Sequence, residues 1–146
     1  MEVQITFQLK IPGLGSRTIK AKLRKLLEDL DFHEGELSVL FTDDKRIAEL
    51  NQQYLKRQGP TNVLAFPMLS GSSPHLPSGM LGDVVISVDT ALSESRELGE
   101  PLQRTVDRLL IHGILHLLGH DHEGSSKQAL RMRREENRLM TLVMDD

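Results

Sequence analysis

Residues Leu102–His122 read LQRTVDRLLIHGILHLLGHDH. From Leu109 to Leu118 almost every position is apolar apart from two histidines, which describes a helix buried on most of its sides. His112 and His116 are four residues apart, so their imidazoles leave one face of that helix a turn apart. Gly119 can take the left-handed backbone that ends a helix. The chain then turns, and His122 can swing back toward the same point. Three neutral nitrogen ligands with one position left open follow the pattern of a catalytic zinc site, anchored here on a rigid, buried element.

Outward from this helix, Pro101 opens it and Gly99 closes a preceding helix that Asp89 caps. Before that, Leu81–Val88 (LGDVVISV) is rich in β-branched residues and predicts a strand. Met68–Met80, with its Pro, Gly and Ser, predicts a loop, and Val63–Phe66 predicts a short strand ending before Pro67. Glu36–Phe41 (ELSVLF) predicts another strand. Thr42-Asp43-Asp44 then caps a helix that uses Ile47, Ala48, Leu50 and Tyr54 and ends near Leu55. Val3–Lys10 alternates apolar and polar residues at the period of a half-buried strand. Ser16 is placed to cap a helix with Ile19, Leu23, Leu26, Leu27 and Leu30 on one face and basic residues mainly on the other. Ser125 or Ser126 starts a final amphipathic helix through Val143. The order predicts one α+β domain over residues 1–146: a small mixed sheet of four strands packed with about five helices, one of them a zincin-like metal helix.

The chain has 146 residues, 38% hydrophobic and 27% charged, the balance of a globular domain and too apolar for a disordered one. Aromatic residues make up 3%, with no Trp, so a base-stacking platform is not expected. Cysteine is absent, which excludes disulfide-linked partners, thiolate metal sites, iron–sulfur clusters and cysteine nucleophiles. The N-terminal residues MEVQITFQLK do not read as a signal peptide, and the longest apolar stretch is too short to cross a bilayer. A cytoplasmic protein with no membrane partner is the expectation. Net charge is −3, yet Val3–Leu27 holds no acidic residue and carries Lys10, Arg17, Lys20, Lys22, Arg24 and Lys25. Such asymmetry can mark a polyanion-binding face or a solvated helix surface.

The offsets of His112, His116, Gly119 and His122 match the metzincin spacing HExxHxxGxxH, but Gly113 stands where those proteases carry the glutamate base. A peptidase mechanism of that kind is therefore disfavoured. A zinc ion on this triad could still lower the pKa of bound water toward ~7 and polarise a phosphoryl oxygen. A purely structural zinc would call for a fourth protein ligand, for which His120 and Asp121 are the nearby candidates. His120 is expected on the turn, and Asp121 is placed to orient a ligand imidazole. His33 and His75 fall in predicted turns and receive no role.

His112–His122 resembles the HGxLHLxGYDH signature of the bacterial YbeY endoribonuclease family. The resemblance extends through Leu37–Asp44 (LSVLFTDD), Leu50-Asn51 with Tyr54, Pro60–Pro67 (PTNVLAFP) and Leu81–Ser87 (LGDVVIS). It implies a zinc-dependent, single-strand-specific endoribonuclease that matures the 3′ end of 16S rRNA and serves ribosome quality control. By the same resemblance, one zinc per chain would sit on His112, His116 and His122, and the partner would be single-stranded RNA of the small ribosomal subunit. His120 replaces the usual tyrosine, and Asn62 and Ala65 are mild variants. Leu55 stands where the family carries an arginine that engages RNA, with Lys56 and Arg57 immediately after it as possible sources of that charge. Lys22, Lys25, Lys56 and Arg57 are the candidate phosphate contacts. The residue that acts as general base is not identified by the sequence. The alternative is a non-catalytic ribosome-assembly factor with a structural zinc, which the missing metal-adjacent glutamate and Leu55 would favour.

Overall fold

Alternation in Val3, Ile5 and Phe7, and again in Leu37, Val39 and Phe41, gives two strands with one apolar face each, and these pair side by side in parallel. In the computed structural model, which describes residues 2–33, 35–67, 80–120 and 125–144, the order is β1 (Glu2–Phe7), α1 (Ser16–Asp29), β2 (Glu36–Thr42), α2 (Asp44–Leu55), β3 (Val63–Pro67), β4 (Met80–Ser87), α3 (Val88–Leu98), α4 (Leu102–Leu117) and α5 (Ser126–Met144). The sheet order is β1-β2-β4-β3, with β3 antiparallel to β4 and the other pairs parallel. The expected α+β architecture is therefore the one observed.

One face of the sheet carries the main core. Val3, Leu37, Val39, Phe41, Val84 and Ile86 meet Leu23, Leu26 and Leu27 of α1, the apolar stripe of α4, and Met132, Leu139 and Val143 of α5. Phe7 and Phe41 stack at 4.9 Å between centroids, joining β1 to β2. The opposite face holds a smaller cluster, Ile47 and Leu50 of α2 on Leu64 and Val85, with Leu40 and Phe66 at its margin. No described helix is long and apolar enough to cross a membrane.

Several boundaries differ from the sequence reading. β1 stops at Phe7 rather than Lys10. Ser16 is the first helical residue and Gly15 the N-cap, with no side-chain bond. Ser87 caps α3, its hydroxyl accepting from the Thr90 N–H, while Asp89 serves α2 instead by accepting from the Asp44 N–H at 2.9 Å. In return, the Asp44 carboxylate accepts from the hydroxyls of Ser87 and Thr90, both at 2.5 Å. The two helix N-termini, at the ends of neighbouring parallel strands, thus share their orphan donors and their acidic caps.

Lys22 departs most from expectation. It does not lie on the open face of α1 but reaches α4, where its ammonium donates to Asp107 at 2.9 Å with both side chains nearly buried, 12% and 8% exposed. Burial raises the Asp107 carboxyl above the usual carboxylate range, against the lowering effect of Lys22. An acid whose folded pKa is raised favours the folded state at low pH, and that preference is lost as pH rises through the folded value. Lys22→Ala leaves the carboxylate unpaired and is expected to cost about 3 kcal/mol in denaturant unfolding at neutral pH. The variant's deficit should shrink on acidification, as Asp107 takes up a proton. A deficit that is small at neutral pH, or that does not vary with pH, would contradict this account.

Candidate functional site

His112 and His116 do leave one face of α4, with ring centroids 4.8 Å apart. Each is partly buried. His112 Nδ1 lies 3.1 Å from Glu136 Oε1 on α5, with side chains 24% and 23% exposed. A carboxylate there favours the tautomer with the proton on Nδ1, which leaves Nε2 as the lone-pair nitrogen. Glu136 was not found by sequence reasoning, although a signal existed. It sits within the apolar stripe Met132, Leu139 and Val143 of α5, at i+4 from Met132 and i−3 from Leu139, where a carboxylate needs a partner.

The end of α4 follows the expected pattern. Gly119 takes φ +93, its N–H donates to the His116 carbonyl at 3.0 Å, and the His120 N–H donates to the Leu115 carbonyl at 2.9 Å. These paired bonds form a Schellman turn and place His120 on it. His122, Asp121 and His75 lie outside the described residues. Among the described residues, no three His, Asp or Glu side chains form a group that could hold a metal. The two imidazoles on α4, one beside a carboxylate, are donors of the type that zinc takes.

The histidine pair lines a cleft of about 660 Å³ with Gly113, Asn51, Leu55, Arg57, Gln58, Pro60 and the run Thr61–Ala65. Its walls come from both sides of the sheet: the end of α2 and the following loop on one side, α4 on the other. The loop is pinned by the buried Asn51, whose amide donates to the Gly59 carbonyl at 3.0 Å and whose own carbonyl accepts from the Arg57 N–H. Asn62 is held by Glu94 of α3 at 2.9 Å. Lys56 caps α2 in the left-handed region at φ 58, and its ammonium donates to the Gln53 carbonyl. Of the four basic candidates, only Arg57 lines the cleft. Lys25 is half-buried on α1, and Lys22 is engaged by Asp107, so neither lines the cleft, and α1 packs on β1, at the opposite edge of the sheet from β3.

One turn before His112, Arg108 is bound by Glu100 through two bonds of 2.6 and 2.9 Å, which hold the Glu100 carboxyl below its usual range. Among the described residues that line the cleft there is no carboxylate side chain.

The family model described as endoribonuclease YbeY matches residues 5–143. The chain is 38% identical over 145 residues to an endoribonuclease YbeY of Syntrophotalea carbinolica, covering 99% of this chain and 97% of that protein. It is 45% identical over 127 residues to an endoribonuclease YbeY of Persephonella marina, covering 87% and 82%. The solution structure of a Thermotoga maritima protein superposes with a TM-score of 0.66 at 26% identity, over 97% of this chain and 88% of that one.

Gly113, at the protease base position, has a packing reason. A Cβ there would come within 2.8 Å of Val84 Cγ1 and 3.1 Å of Val84 Cγ2, with Val63 Cγ2 at 3.5 Å. The β-branched Val84 cannot swing aside cheaply. Gly113→Ala gains up to about 1 kcal/mol of helix propensity but overpacks the core at a cost of about 1–3 kcal/mol. The variant is expected to unfold at lower denaturant than the parent, and Gly113→Glu lower still. Gly113→Glu therefore perturbs packing before it tests chemistry, and a variant of unchanged midpoint would refute this account.

Proposed function

Since the chain belongs to the YbeY endoribonuclease family, we propose that it is a zinc-dependent endoribonuclease specific for single-stranded RNA. Its setting is 16S rRNA 3′-end maturation and ribosome quality control in the cytoplasm, and its partner is RNA of the small ribosomal subunit. The observation that carries this reading is the cleft itself, which brings Arg57 together with His112 and His116, with no carboxylate among its described lining residues. A polyanion is attracted to such a surface, whereas the molecule as a whole has a net charge of −3.

One zinc per chain is held by His112, His116 and His122. When bound, it supplies a Lewis acid for a phosphoryl oxygen and lowers the pKa of a bound water. The chain's own contributions are more specific. Glu136 accepts from His112 Nδ1 and so fixes that ring's tautomer and orientation. Arg57, two residues beyond the family's arginine position at Leu55, provides a guanidinium for phosphate oxygens. Asn51 holds the loop that presents it. Gly113 admits no base beside the histidines, which weighs against peptide hydrolysis.

Elemental analysis of the purified protein is expected to give about one zinc per chain, and His116→Ala to lose both the metal and metal-dependent cleavage of a short single-stranded RNA. Zinc-free protein that cleaves RNA as well as the loaded form would overturn the zinc reading. RNA binding without cleavage would favour the assembly-factor reading. In chelator competition, Glu136→Ala should weaken zinc affinity by about 10–100-fold, and Glu136→Gln by less, because its amide oxygen can still accept from Nδ1. Arg57→Ala should lower the slope of log affinity for single-stranded RNA against log salt by roughly 0.7. An unchanged slope would remove Arg57 from the phosphate contacts.

A further inference from the structure

The cleft is lined by the end of α2 from one face of the sheet and by α4 from the other, with Thr61–Ala65 between them. Among the described strands β3 is the last on that side, so the outer edge of the sheet runs along the cleft floor. What that edge offers follows from the pairing register. Residues facing each other on β3 and β4 run Val63↔Ile86, Leu64↔Val85, Ala65↔Val84 and Phe66↔Asp83. The Ser87 N–H donates to the Asn62 carbonyl at 3.0 Å, one step earlier in the same register. Asn62 opposite Ser87 is therefore a hydrogen-bonded pair. In an antiparallel ladder such pairs alternate, so Leu64 and Phe66 turn their backbone groups toward β4. Val63 and Ala65 turn theirs outward, to the edge. Pro67, which has no N–H, falls on the outward set, where a strand tolerates proline.

We infer that the outward N–H groups of Val63 and Ala65 are a backbone rail that holds the sugar–phosphate chain of single-stranded RNA beside the histidine pair. The inference rests on the ribonuclease reading and names the part of the molecule that positions its substrate. Two residues along a strand span about 6.6–6.8 Å, comparable to the separation of successive phosphates in an extended single strand. Backbone amides are ordinary phosphate ligands that carry no base information. The outward carbonyls of the same residues can accept from ribose 2′-hydroxyls, which DNA lacks. Arg57 supplies a cationic wall, which favours a polyanion over a neutral peptide strand.

The test uses whole protein and a short oligouridylate, with chelator present so that binding is read without turnover. Ala65→Pro removes the outward N–H while leaving the bonds to β4, whereas Ala65→Gly keeps it. Ala65→Pro should weaken RNA binding by about tenfold or more, the loss of one hydrogen bond to a charged group, while Ala65→Gly stays close to the parent. A folded Ala65→Pro protein that binds like the parent would overturn the rail. If the proline variant does not fold, amide hydrogen exchange in the parent decides. RNA should slow exchange at Val63 and Ala65 and leave Leu64 and Phe66 unchanged. Uniform protection along the strand, no protection, or protection by an extended peptide but not by RNA would each overturn it. RNA cleavage by the parent tests the nuclease reading separately, so the rail can fail while that reading stands.

Discussion

Val84 Cγ1 lies only 2.8 Å from the place a Cβ on Gly113 would occupy, and this near-contact sets how deeply α4 sits on the sheet. The depth matters because α4 carries both imidazoles. With any side chain at position 113 the helix would have to lift or rotate, and His112 and His116 would move away from the edge of β3. Close packing transmits such shifts rather than absorbing them. The same glycine therefore serves the core and the site. Its neighbour in this role is Gly82, with φ +138, where a Cβ would collide with the Phe66 carbonyl oxygen and crowd Leu117 at 3.0 Å. Two positions without side chains let helix, edge strand and central strand approach each other where the histidines emerge.

Charge is arranged to the same end. Several carboxylates on the helical side of the molecule are engaged by named partners: Glu100 by Arg108, Asp107 by Lys22, Glu94 by Asn62 and Glu136 by His112. An acidic protein thereby has no carboxylate among the described residues that line this cleft, without needing a basic patch. The approach of a polyanion depends on this local field rather than on net charge, since ions screen exposed charges beyond about 8–10 Å at ordinary salt.

Much of this was legible in the chain. Period-two alternation gave β1 and β2, the β-branched run gave β4, and the spacing of His112, His116 and Gly119 gave the helix face and its turn, because each signal is local. Long-range pairing was not legible. Lys22 looked like one more surface cation because nothing near it in sequence shows that Asp107, 85 residues away, is buried beside it. Asp89 looked like the cap of its own helix, and only the adjacency of β2 and β4 makes it the cap of α2. Glu136 was the nearest miss, since its place in an apolar stripe was visible while its partner on α4 was not. Arg57 could be named as a cation, but its place in the cleft depends on the left-handed turn at Lys56 and the bond from Asn51 to Gly59.

The bond between His112 and Glu136 spans 24 residues of chain and joins two helices made at different times. During synthesis, both histidines on α4 emerge from the ribosome before α5 exists to dock against them. Until α5 packs Met132, Leu139 and Val143 into the core, the His112 ring lacks the carboxylate that orients it. The order of translation thus makes orientation of this ring a late event, conditional on closing the fold. A nascent chain whose α5 has not yet emerged would hold the histidines without their final alignment.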